Sequence, residues 1–389
     1  MTELVFWLGD TVVLFAIIFF VFGCCIGSFL NVVIYRLPLE INLISPPSHC
    51  PKCDYRIPVY RNIPLFTWLW QRGKCADCKG SIPVRYFLVE LLTGAAFLGA
   101  WLMVYQQFVS GSDPAIVTAF TAAVVTLALV TLLAGLIAST FIDIDHFIIP
   151  DEITKGGMVV GVVFSVVAPQ LHGAYLGEDI GRLDALGLSL LGMACGGGII
   201  YGVAWLGKLL FGKETFSSDE PCKVTFATHE LHIETDADDD EIVREYEDVF
   251  FRKSDTIILH AQQAEMIDRC FWDRPISINS QTTMIGADKF STEEIVHLEV
   301  TTREIIVPRE AMGFGDVKFM AAIGAFLGWQ ATLFTLMASA MVGAAVGLTL
   351  KATRKDAAII PYGPYLALAA TGWIFGGYKL WEMWWSIGQ

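Results

Sequence analysis

Charge is scarce in this chain. Charged side chains make up 17% of the 389 residues, against 54% apolar ones, and the mean hydropathy is +0.55. Seven runs contain no Asp, Glu, Lys or Arg at all, covering 11–35, 91–112, 114–142, 156–177, 185–207, 319–350 and 357–378. About 20 apolar residues suffice to cross a bilayer as a helix, so the pattern excludes a water-soluble globular protein and predicts a polytopic membrane protein. Two further absences narrow the reading. No basic residue precedes the first run and no small-residue cleavage site follows it, which argues against a removable signal peptide. The first helix is expected to stay as an anchor. A glycine-rich strand-to-helix fingerprint of the Rossmann kind is also missing.

What basic charge there is lies in few places. The stretch 36–90 holds eight basic residues, Arg36, Lys52, Arg56, Arg61, Arg72, Lys74, Lys79 and Arg85, and Lys351, Arg354 and Lys355 form a second group. The run 319–350 has Gly328-Trp329-Gln330 near its middle and reads either as one long helix or as two joined by a tight turn. Splitting it puts 36–90, 143–155, 208–318 and 351–356 on one side, with nearly all the Lys and Arg. By the positive-inside rule that side is cytoplasmic, which predicts eight spans with both termini outside. Trp381, Trp384 and Trp385 read as an interfacial aromatic belt.

Acidic charge is concentrated too. The net charge is −14, and residues 213–310 contribute 23 acidic and 10 basic side chains to it. This segment is long enough to fold by itself. Its alternating stretches, such as Lys223-Val224-Thr225-Phe226, together with a predicted helix near 258–272, point to a small α+β domain. The acidic stretch 236–241 reads as a solvated loop, because the glycine and distal glutamate of a Ca²⁺ loop are missing. The expected organisation is a first transmembrane helix over 1–35, a cysteine-bearing cytoplasmic domain at 36–90 and helices two to five over 91–212. The inserted domain follows at 213–310, and the last three helices occupy 311–389. Gly196-Gly197-Gly198 suits close helix packing in the membrane.

Cys50-Pro51-Lys52-Cys53 and Cys75-Ala76-Asp77-Cys78 give C-x2-C-x21-C-x2-C. Four thiolates in two close pairs suit tetrahedral Zn²⁺, and a reducing cytosol disfavours disulfides. With every ligand a cysteine there is no open position for a catalytic water, so the zinc is expected to be structural. His49, beside Cys50, is a competing ligand. Cys24, Cys25, Cys195, Cys222 and Cys270 lack ligand spacing and read as small apolar residues.

Two aspartates stand where apolar runs meet polar sequence. Asp143 lies in a stretch that continues through Asp145 and Pro150 to Asp151, and Asp316 closes Gly313-Phe314-Gly315-Asp316 before a long apolar run. Ionisable groups at the ends of membrane spans are costly to keep and mark candidate functional sites. For peptide hydrolysis one carboxylate activates water while a protonated partner polarises the carbonyl, and close like charges separate the two protonation states. The two glycines before Asp316 leave room for a substrate backbone. Simpler roles remain open: Asp151 as a cap for a helix beginning near Ile153, Asp145 as a solvated group, and Lys318 as a tuner of Asp316 or a marker of the interface.

These residues resemble the type IV prepilin peptidase family, bacterial membrane aspartic peptidases of the G-x-G-D type. The resemblance covers the chain outside 213–310. It rests on Gly27-Ser28-Phe29-Leu30-Asn31 through Arg36-Leu37-Pro38, both cysteine pairs, Arg85-Tyr86 with Glu90, D-x6-P-D from Asp143 to Asp151, and Gly313 to Lys318. It implies Asp143 and Asp316 as the catalytic pair, with Gly313, Gly315, Lys318 and Pro150 in support. It implies cleavage of a basic leader from prepilins or pseudopilins after a glycine at the cytosolic face of the bacterial inner membrane. Methylation of the new N-terminus with S-adenosylmethionine is implied as well, since cysteine-bearing members commonly do both. The expected partners are that substrate, membrane lipid and a pilus or secretion assembly component docked on 213–310, with no nucleic acid. A leader peptidase without methylation, an inactive assembly scaffold, and a proton- or cation-coupled transporter using the same aspartates are the alternatives.

Overall fold

The computed structural model describes residues 2–106, 119–172, 180–211, 213–227, 230–234, 241–250, 255–292, 295, 297–308, 313–353 and 361–387. The acidic residues Asp236 to Asp240, and Arg354 and Lys355, lie outside the described residues. In chain order the helices are α1 (Thr2–Arg36), α2 (Phe66–Trp70), α3 (Val84–Val104), α4 (Ala119–His146), α5 (Asp151–Val167), α6 (Arg182–Phe211), α7 (Tyr246–Val249), α8 (Phe314–Thr353), α9 (Gly363–Gly372) and α10 (Tyr378–Ile387). They fall into two compact units, one of Met1–Tyr201 with Phe314–Gln389, the other of Gly202–Gly313.

Five stretches among the described residues are long and apolar enough to cross a membrane: Val12–Arg36, Val84–Val104, Thr121–His146, Arg182–Gly207 and Phe314–Ala352. Over its described residues, 156–172, the uncharged run 156–177 is not one continuous helix. Helix α5 stops at Val167, and Ala168, the residue before Pro169, adopts φ −129° and ψ 78°, as steric conflict with a proline ring favours. Helices α1 and α3 lie side by side because glycines let their backbones meet. A Cβ on Gly27 would come within 2.7 Å of the Glu90 Cα, the close approach that small residues permit between membrane helices. Leu30, Ile34, Val89, Ile137 and Ile142 fill the space between α1, α3 and α4.

Helix α8 is interrupted at Gly328, whose φ of 81° and ψ of 178° are not helical. Only glycine takes that conformation without steric penalty. Three residues earlier, the Ala325 carbonyl accepts hydrogen bonds from Ser165 Oγ at 3.2 Å and Ser189 Oγ at 2.7 Å. Ser165 Oγ is also 2.9 Å from His172 Nε2. Side chains of α5 and α6 thus satisfy backbone beside the break, which an apolar interior would otherwise leave costly.

The second unit is built on one sheet of eight antiparallel strands in the order β3-β2-β1-β8-β4-β5-β6-β7. They are β1 (Lys213–Ala227), β2 (Glu230–Glu234), β3 (Glu241–Glu245), β4 (Thr256–Met266), β5 (Cys270–Asn279), β6 (Thr282–Ile285), β7 (Asp288–Ser291) and β8 (His297–Pro308). This corrects the α+β expectation for the insertion. The predicted helix near 258–272 is the hairpin of β4 and β5, paired from Thr256 with Asn279 to Glu265 with Cys270. Ile257, Leu259, Ala261 and Ala264 are buried while Ile258, His260 and Gln262 are exposed, a period of two that belongs to a half-buried strand. The only helix among the described residues between β1 and β8 is the four-residue α7. Val224, Phe226, Leu231, Ile233, Leu259, Ile276 and Val300 supply the core.

Candidate active site and cysteine cluster

Asp143 sits in the last turn of α4, where Phe147 at φ 55° ends the helix. The chain then passes through Ile149 and Pro150 into α5. Burial of Asp143 is nearly complete, at 5% exposure, and its Oδ2 accepts a hydrogen bond of 2.9 Å from the backbone N–H of Gly363 at the start of α9. Asp316 occupies the first turn of α8 and is half-buried. The two aspartates are close enough for their charges to interact, and the Tyr362 phenol likewise senses Asp316. The Tyr362 hydroxyl meets Ser339 Oγ at 2.8 Å. Gly315 packs on Ile149, where a Cβ would come within 3.3 Å of the Ile149 Cβ, and Gly313 lies exposed just before α8.

The neighbouring acids are engaged differently. Asp145 is ion-paired with Arg85 of α3 at 2.6 Å, and the Arg85 guanidinium also covers the Phe141 ring at 4.9 Å. Asp151 is paired with Lys318 of α8 and, at 2.6 Å, with Lys155 of α5. Helix α5 therefore begins at Asp151 itself. Pro150 is its N-cap, with no side-chain cap bond, which corrects the reading of Asp151 as a cap for a helix starting near Ile153. Asp145 is likewise not a free solvated group. Among the described residues, Asp143 and Asp316 have no cationic partner, so the four acids divide into two that are ion-paired between helices and two that lie within electrostatic reach of each other.

Gly363 was missed by the sequence reading. A Cβ there would lie 2.6 Å from Asp143 Oδ2, so the close approach of the α9 start to the carboxylate requires a glycine. Pro361-Tyr362-Gly363-Pro364 signals a turn and a helix start, but sequence spacing gives no hint that this turn meets a carboxylate 220 residues away.

The four cysteines of the 36–90 stretch come together. Their Sγ atoms all lie within 4.8 Å of one another, with Cys50 to Cys78 and Cys53 to Cys75 each at 3.9 Å. Tetrahedral bonds of about 2.3 Å place sulfurs about 3.8 Å apart, so the four fit a zinc ion. Two matched turns present them: Asp54 N–H donates to the Cys50 carbonyl at 2.9 Å, and Lys79 N–H to the Cys75 carbonyl at 3.2 Å. Asp54 and Lys79 are both left-handed, at φ 53° and 58°. Hydrogen bonds from the backbone of Asp77 and Cys78 bring the Cys75 thiol down to about 7, towards the thiolate that a metal takes. His49 instead places Nδ1 3.1 Å from the Pro47 carbonyl. All nine cysteines are free of disulfides.

Comparison with known proteins adds a lineage to this geometry. A model of the bacterial peptidase A24 N-terminal domain matches residues 21–104, and one of the type IV leader peptidase family matches 130–218 and 289–348. The chain belongs to the type IV leader peptidase family. As the family model passes over 219–288, most of the sheet of the second unit is an addition to its pattern. A prepilin leader peptidase/N-methyltransferase of Aeromonas hydrophila is 28% identical over 381 residues, covering 91% of this chain and 88% of the relative. The protein of that name from Myxococcus xanthus is 40% identical over 205 residues, 51% of this chain and 56% of the relative. That from Pseudomonas aeruginosa is 26% identical over 377 residues, 90% and 86%. No solved structure matches this leader peptidase chain.

Proposed function

We propose that the chain is a membrane aspartic endopeptidase that removes the leader of type IV prepilins or pseudopilins after a glycine, and then methylates the exposed N-terminus with S-adenosylmethionine. The observation that supports the peptidase reading is the electrostatic proximity of Asp143 and Asp316, the two acids of the cluster without a cationic partner among the described residues. In this reading one carboxylate takes a proton from water as it attacks the scissile carbonyl, and the protonated partner hydrogen-bonds the carbonyl oxygen. A single proton shared by the pair meets both needs, and its titration belongs to the pair. The Gly363 N–H orients Asp143. The ion pairs Arg85 with Asp145 and Lys318 with Asp151 link α3 to α4 and α5 to α8 beside the site.

The same reading has the active site on the cytoplasmic face of a bacterial inner membrane, in an eight-span arrangement with both termini outside, supported by the clustering of basic residues in a few loops. The cysteine cluster holds structural zinc, supported by the fit of its four sulfurs. The added sheet of the second unit is proposed to dock a pilus or secretion assembly component. The methyltransferase reading rests on the names of the relatives. The test is leader cleavage of a co-expressed prepilin, followed by the mass of the mature N-terminus, for the wild type and for Asp143→Asn and Asp316→Asn. Loss of cleavage in each variant at normal membrane levels is expected. Cleavage by both variants rejects the assignment.

A further inference from the structure

Between the two cysteine turns the chain folds back onto a candidate membrane span. Helix α2 lies against the first two turns of α3: the Leu65 N–H at its start donates to Glu90 Oε2 at 2.7 Å, and the Trp68 ring packs on Phe87 with centroids 5.1 Å apart. Gly73 makes room for that ring, since a Cβ there would come within 2.9 Å of it. Helix α3 is one of the stretches long and apolar enough to cross a membrane. Rising about 1.5 Å per residue, it holds α2 within about 9 Å of its own start. Interfacial helices bury their apolar side to a depth of about 5–10 Å.

With Trp68 turned inward, the other large side chains of α2 are turned outward. Phe66, Leu69 and Trp70 are 58%, 57% and 78% exposed, and the Phe66 and Trp70 rings stack at 5.8 Å. A hollow of about 510 Å³ opens beside them, walled in part by Tyr60, Phe66 and Trp70 and in part by three cations, Arg61, Lys74 and Lys79. No Asp or Glu lines it. Arg61 donates to the Tyr55 hydroxyl at 3.1 Å and Lys79 to the Ala76 carbonyl at 3.0 Å, neutral partners that leave both charges in place. An exposed apolar surface with a polar rim marks an interaction site, and two observations say what covers it. Its depth beside α3 is that of the membrane boundary, where Trp and Tyr concentrate, and its cations call for negative charge. A water-borne partner would have to displace lipid to reach it.

We infer that the face formed by Tyr60, Phe66, Leu69 and Trp70 lies in the membrane interface, and that the hollow beside it takes the headgroup of an anionic phospholipid from the same bilayer. The inference rests on α3 crossing that bilayer and not on the peptidase reading. The rings rest at the level of the glycerol and upper acyl groups, while Arg61, Lys74 and Lys79 meet the phosphate. The same end of α3 carries Arg85, the partner of Asp145. Lipid contact at α2 thus steadies the cysteine-bearing stretch beside the candidate active site.

The test is photocrosslinking of the purified full-length protein in nanodiscs of mixed phosphatidylglycerol and phosphatidylcholine, with a trace of one lipid or the other carrying a diazirine near its glycerol, followed by peptide mapping. Both lipids should label α3. Phosphatidylglycerol should label 59–79 at least about fivefold more than phosphatidylcholine, the factor that a single Lys or Arg gains near an anionic surface. Raising the salt should shrink that preference in the wild type. Lys74→Gln with Lys79→Gln should bring the two lipids towards parity, and Phe66→Ser with Trp70→Ser should cut label from both, with bound zinc measured as a check on folding. Equal label of 59–79 by the two lipids in the wild type, or a labelled α3 beside an unlabelled 59–79, overturns the inference. So does a photoreactive prepilin that crosslinks to 59–79 where lipid does not, which assigns the face to a protein partner. An α3 that neither lipid labels removes the span, and the inference with it.

Discussion

The N–H of Gly363 donates to Asp143 Oδ2 at 2.9 Å across 220 residues of sequence, and a Cβ on that glycine would stand 2.6 Å from the same oxygen. A methyl group there must push the carboxylate aside. Misplacing a reacting group by about 1 Å costs on the order of 10²-fold in rate, so Gly363→Ala is expected to lower kcat for leader cleavage by about that factor with membrane levels preserved. Cleavage kinetics on a purified prepilin check this, and a variant as fast as wild type would mean the bond does not position Asp143.

The ion-paired acids should respond differently from Asp143 and Asp316. Asp145 and Arg85 are each about a third exposed, at 32% and 37%, where water screens the attraction and such pairs contribute about 0–1 kcal/mol. Asp145→Asn is therefore expected to cleave prepilin within a few-fold of wild type and to melt within a few degrees of it. Asp151→Asn also leaves Lys318 without one of its contacts to α5, so a double-mutant cycle with Lys318→Met should show coupling. Cleavage that fails in Asp145→Asn as completely as in Asp143→Asn would contradict the division of roles.

Metal removal should act through protons and folding together. Cysteine ligands bind metal as thiolates, so binding releases protons and weakens as pH falls. Acidification protonates the cysteine thiols and so competes with the metal for them. Bound zinc, read by elemental analysis after desalting, is expected at one ion per chain at pH 8 and to fall towards pH 5. Cys75→Ser should lose the ion and loosen the 36–90 stretch to proteolysis. An undiminished zinc content in that variant would exclude the cluster as the ligand set.

The added sheet offers a stability test by itself. Leu231 is fully buried in its core, and truncating such a leucine to alanine costs about 2–5 kcal/mol from lost burial and the cavity left behind. Expressed alone, 202–313 should show a β-type spectrum and a cooperative unfolding transition, with Leu231→Ala shifted by that amount in urea. A spectrum without β structure would mean that the unit depends on the rest of the chain.

How much of this was legible in the sequence depends on the range of the interaction. The Cys50 to Cys78 cluster was readable because the short spacing within each pair sets the local turns, and chemistry leaves few uses for four such thiols. Asp143 and Asp316 were readable as polar residues at the ends of apolar runs. Gly363 was not, since its role is a contact between α9 and α4 that no local pattern encodes. The strand β4 was misread as a helix because Ala261, Ala264 and their neighbours carry little intrinsic preference for strand, and pairing with β5 and β8 decided the matter. Helix α5 is shorter than its uncharged run because Pro169, not hydropathy, sets its end.

The last prediction concerns the break in α8. Gly328 holds φ 81° with ψ 178°, a conformation in which a side chain is strained, and strained backbone of this kind costs about 1–3 kcal/mol. Gly328→Ala gains helix propensity but cannot adopt the native angles cheaply, so either the chain strains or α8 straightens. Straightening would draw the Ala325 carbonyl away from Ser165 and Ser189, whose hydroxyls now bond it, and would move the helix that carries Asp316 at its first turn. The variant is therefore expected to melt lower and to lose cleavage. Ser189→Ala removes only one of the two hydroxyls and should lower stability by about 1–3 kcal/mol while still cleaving. Thermal unfolding and prepilin cleavage on both variants separate the two effects: a Gly328→Ala protein as stable and active as wild type would show that the break does not hold α8 in place.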